Sequence, residues 1–312
     1  MNAIRVHEYG GSSELRYESV ERPEPAGDEL LVRVRGAGVN PVDAVARRGR
    51  LNYQLPWIPG WDLSGTVAAV GESVTDFEVG DSIYGLTRFP AAGSTYAEYA
   101  TVPATDIDTK PEVLDHIAAA AVPMVALTAW QALFDRGGLQ EDDRVLIHAA
   151  AGGVGHIAVQ LANHRGATVI GTASGYNREF LTELGVDQFL DYEETPFEEA
   201  IDEPVDLVVD AVSGETYARS LSVLREGGTI ATLLDSPSDE QTDVHGVESR
   251  RVAVEANGKT LSEITSLIED GAVVPTVSAV YPLSDATAAH EDIEGQHARG
   301  KLVLEPDGGT DE

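Results

Sequence analysis

The stretch RVLIHAAAGGVGHIAVQLA, residues 144–162, decides the fold. Its first part, RVLIHAA, is apolar and β-rich and reads as a buried strand. Small residues and glycines follow. Apolar residues then recur at helical spacing through VGHIAVQLANHRG, with Gly166 as the stop signal. Residues 150–155, AAGGVG, fit the pattern G-x-G-x-x-G with Ala150 in the first place. That pattern carries meaning only between a strand and a helix, which is where it lies. Gly152 would let the backbone approach a pyrophosphate, and Gly155 would let the helix pack on the strand. The unpaired N–H groups and dipole of the helix start would face the phosphates, with Ala151, Gly153 and Val154 completing the turn. The competing reading is a tight strand–helix turn that holds nothing.

Outward from this stretch the alternation continues. ATVIGTA, VDLVVDAV and GGTIATLL read as strands; NREFLTELG, GETYARSLSVL and KTLSEITSLIEDG read as helices. Strand–helix alternation predicts a doubly wound parallel sheet, an α/β fold. Before it, AIRVHEY, ELLVRVRGAGV and LSGTVAAVG read as short strands between Pro and Gly turns. Ile117 to Phe134 carries no charge, but it is mostly Ala and holds Pro123, Thr128 and Gln131. A core helix pair broken at Pro123 is expected there rather than a membrane span. The tail from Val277 to Pro306 reads as strand and loop, and DGGTDE at the end as frayed.

The end of the second strand bears on cofactor choice. An NAD site places Asp or Glu about 20 residues past the glycines, to bond the ribose 2′-OH. Ala173 stands there instead, followed by Ser174 and Arg178, with Tyr192 after the next strand. A small residue, two hydroxyls and a guanidinium suit a 2′-phosphate, so the expected cofactor is NADPH.

Charge sets further limits. There are 53 Asp plus Glu against 21 Lys plus Arg, a net charge of −32 in 312 residues. The lysines are three: Lys110, Lys259 and Lys301. Such a surface repels nucleic acid and anionic membranes. With lysine so depleted and the acids dispersed, it reads as halophilic, an adaptation to a salt-rich cytoplasm, where the Debye length falls to about 3 Å at molar salt. No basic-then-apolar pattern opens the chain, so no signal peptide and a cytoplasmic location are expected. With no Cys at all, disulfides and thiolate metal sites are excluded.

Several chemistries are also excluded. No Tyr has a Lys four residues on, there is no G-x-S-x-G elbow, and the eight His form no H-E-x-x-H. His148 and His156 flank the glycine turn and read as structural.

Taken together, GAGVNPVDAVARRG (36–49), IPGWDLSGTVAAVG (58–71), VALTAWQAL (125–133), the glycine turn and ARGKLVL (298–304) resemble the medium-chain dehydrogenase/reductase superfamily. The branch is that of its zinc-independent, zeta-crystallin-like quinone oxidoreductases. Zinc alcohol dehydrogenases carry a Cys where Asn40 stands and Gly-His-Glu where this chain has Gly60-Trp61-Asp62. Their four-Cys lobe is missing here. Without a metal to polarise an alkoxide, the resemblance implies hydride transfer from NADPH to a quinone or an α,β-unsaturated carbonyl. The alternative is a non-catalytic NADPH-binding redox sensor or structural relative.

The resemblance further implies a GroES-like β domain from 1–121 and 272–312, a Rossmann domain from 122–271, and an active site in the cleft between them. Asn40, Asp43 and Tyr53 would line the substrate end, with Asn40 and Tyr53 catalytic. Asn40-Pro41 is equally a natural turn, and Asp43 a helix cap. Thr128 and Val212 would flank the nicotinamide, Ser174, Arg178 and Tyr192 would hold the adenosine half, and Lys301 would reach the cofactor from the tail. No metal is expected. The resemblance also implies a homodimer, with GGTIATLL and RRVAVEA as the candidate edge strands.

Overall fold

The computed structural model describes residues 1–234, 242, 245–295 and 298–306; the DGGTDE tail lies outside them. The chain divides into two compact units. The first comprises Met1–Leu127, Glu255–Gly271 and Pro275–Glu312, and the second Thr128–Val254 and Ala272–Val274.

The first unit is built on antiparallel strands. In chain order they are β1 (Asn2–Val6), β2 (Leu15–Ser19), β3 (Glu29–Val39), β4 (Asp62–Val70), β5 (Ser82–Leu86), β6 (Tyr99–Pro103) and β7 (Ile107–Thr109). Helix α1 (Pro41–Arg47) follows β3, and α2 (His116–Ala120) and α3 (Pro123–Trp130) follow β7. The uncharged run is therefore two helices parted at Pro123. Proline is tolerated at a helix start because its missing N–H would have no partner there. No helix among the described residues is long and apolar enough to cross a membrane.

The second unit carries β8 (Arg144–Ile147), α4 (Gly153–His164), β9 (Thr168–Ala173), α5 (Arg178–Glu183), β10 (Gln188–Asp191), α6 (Phe197–Ala200), β11 (Val205–Asp210), α7 (Glu215–Ser220), β12 (Leu224–Thr232) and β13 (Glu248–Arg251). Its strands are all parallel, in the order β10-β9-β8-β11-β12-β13. Counted within the unit this is 3-2-1-4-5-6, the dinucleotide-binding order, which reverses beside β8. Leu146, Ile170, Val208 and Ile230, one from each central strand, are buried in one cluster. Four adjacent strands buried in this way explain the near-continuous apolar runs of the sequence.

The chain then returns to the first unit through α8 (Gly258–Glu269), β14 (Val277–Pro282), α9 (Ala286–Glu294) and β15 (Lys301–Glu305). The sheet there runs β14-β15-β3-β4-β5-β7, with β6 also paired to β3.

Three features differ from the sequence reading. Helix α8, read as part of the Rossmann unit, belongs to the first unit. There Tyr84 of β5 bonds to Thr265 at 2.8 Å, and Thr265 to Asp108 of β7 at 2.7 Å. The tail contains a helix, α9, that the pattern did not reveal. Its inward face is Ala286, Ala289 and His290 rather than large apolar residues. Finally, β12 is not an edge strand: β11 and β13 flank it. The edge falls to β13, of which RRVAVEA supplies only Arg250 and Arg251.

Candidate functional site

In the second unit, β8 runs into the glycine turn. Ala149 takes a positive φ of 50°, and Gly152 caps α4. A Cβ on Gly155 would strike the Ala149 carbonyl oxygen and press within 2.6 Å of Ala150 Cα, so only glycine lets the helix seat this closely on the turn. The first N–H groups of α4, a twelve-residue helix, have no intrahelical partners, as at any helix start. Thr128 lies on α3, buried, and Val212 is exposed just beyond β11, its N–H bonded to Asp210 Oδ1 at 2.9 Å.

Beside the turn, β9 ends at Ala173. Ser174 Oγ and Tyr192 Oη are 2.7 Å apart, which joins the two hydroxyls read as phosphate ligands. Arg178 is exposed and lies over the Phe189 ring, 4.4 Å from its centroid. No carboxylate among the described residues pairs with it, whereas Arg219 and Arg225 nearby in sequence are paired. An unpaired guanidinium and two hydroxyls at a strand end that lacks an acid fit a 2′-phosphate. The flanking histidines are structural. His148 bridges Thr172 (3.0 Å) and Ser220 (2.8 Å), and burial lowers its pKa to about 3. His156 meets the Gly152 carbonyl at 2.9 Å.

The first unit holds Asn40, Asp43, Tyr53 and Lys301. Three of these, with Asp62, form one buried polar cluster. Lys301 Nζ donates to Val39 O (2.8 Å) and Asn40 Oδ1 (2.5 Å), and stands 3.3 Å from Asp62 Oδ2. Asn40 Nδ2 donates to the same Asp62 oxygen at 2.9 Å, while Met124 N donates to Asp62 Oδ1 at 2.7 Å. The Asp43 carboxylate accepts from Asn40 N at 2.6 Å and so tethers the start of α1. Gly38 makes room for this: a Cβ there would lie within 2.8 Å of Asp62 Oδ2.

Charge is unevenly supported in the cluster. Asp62 has an ammonium, an amide and a backbone N–H; Asp43 has one backbone N–H. Its other oxygen, Oδ1, and the Tyr96 hydroxyl interact electrostatically but fall outside hydrogen-bond geometry. Burial raises Asp43 to about 7, against the Asn40 N–H and Lys301, with Asp62 adding to the rise. Burial also pushes Asp62 up and Lys301 down, and each opposes the shift of the other. One ammonium with two carboxyls is neutral when Asp43 keeps its proton and Asp62 does not.

Sequence reasoning placed Asn40 and Asp43 together at the substrate end but assigned Lys301 to the cofactor. It missed the hub that joins Lys301 to Asn40, Asp62, which it noted only as a departure from Gly-His-Glu. Lys301 is 2% exposed and its ammonium is bonded inside this cluster, not extended from the tail. Asn40 is also 2% exposed. Tyr53 shares no hydrogen bond with them, though it lies within electrostatic reach of Asp43. Its hydroxyl donates to Pro90 O, and its ring sits 4.6 Å from Trp57 and 6.2 Å from Trp61. Burial, with Asp43 and Tyr9, raises it to about 12.

The cluster does not fit a zinc ion. Both Asp62 oxygens are taken by donors, an ammonium stands beside one of them, and no Cys is available.

The chain and its fold have known counterparts. Residues 26–112 match the family model of the alcohol dehydrogenase GroES-like domain, and residues 184–304 that of the zinc-binding dehydrogenases. The quinone oxidoreductase of Mus musculus is 31% identical over 97% of both chains. The chain belongs to the medium-chain dehydrogenase/reductase superfamily, among its quinone oxidoreductases. The chloroplastic NADPH-dependent alkenal/one oxidoreductase of Arabidopsis thaliana is 33% identical over 98% of this chain and 80% of its own. A solved quinone oxidoreductase from Coxiella burnetii superposes with a TM-score of 0.92 at 36% identity, covering 98% of this chain and 99% of that one.

Proposed function

We propose that this member of the superfamily is a zinc-independent, NADPH-dependent oxidoreductase that reduces a quinone or an α,β-unsaturated carbonyl. The observation that carries the reading is the glycine turn opening α4, beside a β9 end with no acid and an unpaired Arg178. The names of the relatives point the same way. When bound, NADPH supplies the hydride. The start of α4, with residues 151–155, holds the pyrophosphate, and Ser174, Arg178 and Tyr192 hold the 2′-phosphate. Thr128 and Val212 position the nicotinamide half.

On the substrate side, Asn40 has one amide hydrogen left after Lys301 and Asp62 are served, and it is offered to the acceptor's oxygen. Tyr53 gives its ring and, on exchanging the Pro90 carbonyl for a substrate oxygen, a hydrogen bond. With its pKa near 12 it keeps its proton. Lys301 acts on the site through Asn40. The partner proposed is a small molecule, not a nucleic acid, and the location the cytoplasm. A homodimer through the open edge of β13 is the proposed assembly.

The test is NADPH oxidation with 1,4-benzoquinone and with a simple enone, at low and molar KCl, before and after EDTA. Turnover that survives chelation is expected. Binding of NADPH without turnover of either acceptor would make the chain a binding protein, and activity lost to EDTA and restored by zinc would overturn metal independence.

A further inference from the structure

Asp191 is a carboxylate that neither the glycine turn nor the phosphate ligands account for. It ends β10, directly opposite Ala173 in the parallel register. Register partners on neighbouring strands are about 4.8 Å apart. An acid missing from the end of β9 is therefore present one strand over. Its side chain turns toward the same loop: a Cβ on Gly175, the residue after Ser174, would overlap Asp191 Oδ2. Its other oxygen, Oδ1, accepts from Glu193 N at 3.0 Å, which fixes the carboxylate in place. The next residue is Tyr192, bonded to Ser174. The carboxylate is thus built into the ring of residues that includes the two hydroxyls, with Arg178 three residues beyond Gly175.

We infer that Asp191 sets the balance between NADPH and NADH at this site. It repels a 2′-phosphate held by Ser174, Arg178 and Tyr192, and it accepts a hydrogen bond from a free ribose 2′-OH. The inference rests on the proposed cofactor site and adds to it a specificity-determining residue. Arg178 and Asp191 oppose one another at the same position of the cofactor. The guanidinium is exposed and the carboxylate half-buried, so salt screens the attraction more completely than the repulsion. NADH therefore remains a usable cofactor, and the preference for NADPH is narrower than Ala173 and Arg178 alone would give.

The variant that isolates this is Asp191→Asn, which keeps Oδ1 for Glu193 N and replaces the charged Oδ2 with an N–H donor. Affinities for 2′,5′-ADP and for 5′-ADP are measured by calorimetry, and kcat/KM for NADPH and NADH in parallel. At low salt the variant should gain in affinity for 2′,5′-ADP relative to 5′-ADP on the order of tenfold, the scale of one hydrogen bond to a charged group. The kcat/KM ratio should move the same way. Arg178→Ala should move both ratios in the opposite direction. An Asp191→Asn ratio within twofold of the parent, with Arg178→Ala still acting, overturns the role of Asp191 alone. If neither variant alters 2′,5′-ADP affinity, the cofactor site itself is misplaced and the proposed function falls with it.

Discussion

Lys301 shows how a single residue can be found in a sequence while its partners are not. The motif ARGKLVL marks it, and β15 delivers it to the end of β3, where Val39, Asn40 and Asp62 receive it. Nothing local in WDLSG announces that Asp62, 239 positions away, is the counter-charge. Long-range polar pairs of this kind leave no periodicity. Lys301→Met should strand a buried Asp62 carboxylate and cost about 3–5 kcal/mol, as breaking a buried pair does. Lys301→Met with Asp62→Asn removes both charges and should recover a substantial part of that loss. Denaturant melts of the parent and both variants check this, and a double variant no more stable than the single one would contradict the ion pair. Asp43 gives a prediction of opposite sign to the usual acid. Its pKa near 7 in the fold lies above the unfolded value of about 3.9. Between those values the folded state binds more protons than the unfolded one, so Asp43's contribution to stability falls as pH rises from about 4 to 7 and is flat above. His148 and His290, both near 3 in the fold, oppose this slope by losing stability as pH falls below their unfolded value of about 6.5. The comparison must therefore be a difference: Tm of Asp43→Asn minus Tm of the parent should grow across pH 4–7. A difference that does not depend on pH would mean that Asp43 is ionised in the fold.

At the scale of elements, legibility followed side-chain size. The strands and helices of the second unit were read from apolar runs because large residues fill both faces of a parallel sheet. Helix α9 escaped because it buries Ala and His, which do not stand out from a polar tail. The edge position of β12 was misread because an apolar strand and a central strand look alike; β13, four charged or polar residues, was the inconspicuous one. An edge of Glu248, Ser249, Arg250 and Arg251, with an Arg250–Glu248 pair at 2.5 Å, restricts pairing to a partner strand that answers those charges, as a second copy of β13 running antiparallel would. The glycine turn gives the sharpest test at this scale. Gly155→Ala must displace α4 from the Ala149–Ala150 backbone, so NADPH affinity should fall by more than tenfold and Tm should drop with it. Gly152→Ala is the control, because its Cβ meets one atom, Ala149 O, at 3.2 Å. Gly152→Ala should retain the parent Tm while weakening NADPH alone, if the backbone approaches a pyrophosphate there. Equal behaviour of the two variants would show that Gly155 is not a packing residue.

The whole molecule is governed by its charge. With 53 acids and 21 bases, most carboxylates have no cation to face, and mutual repulsion opposes compactness. Added salt acts on two terms of opposite sign. It weakens surface ion pairs such as Arg219–Glu198 and Arg225–Asp206, each worth about 0–1 kcal/mol. It also screens repulsion among an excess of 32 negative charges. The second term involves far more pairs, so salt should stabilise. The shape of the response identifies the cause. The Debye length shrinks from about 10 Å at 0.1 M to about 3 Å at 1 M, so a screening effect delivers most of its gain below roughly 1 M KCl. Strengthened burial through excluded solutes would instead keep rising beyond that, and sucrose would reproduce it. Tm should therefore climb steeply between 0.05 and about 1 M KCl and then level off, while iso-osmotic sucrose gives little of the early rise. A flat Tm across this range would show that the acidity is no adaptation to salt, and a sucrose curve matching the KCl curve would move the cause from charge to solute exclusion.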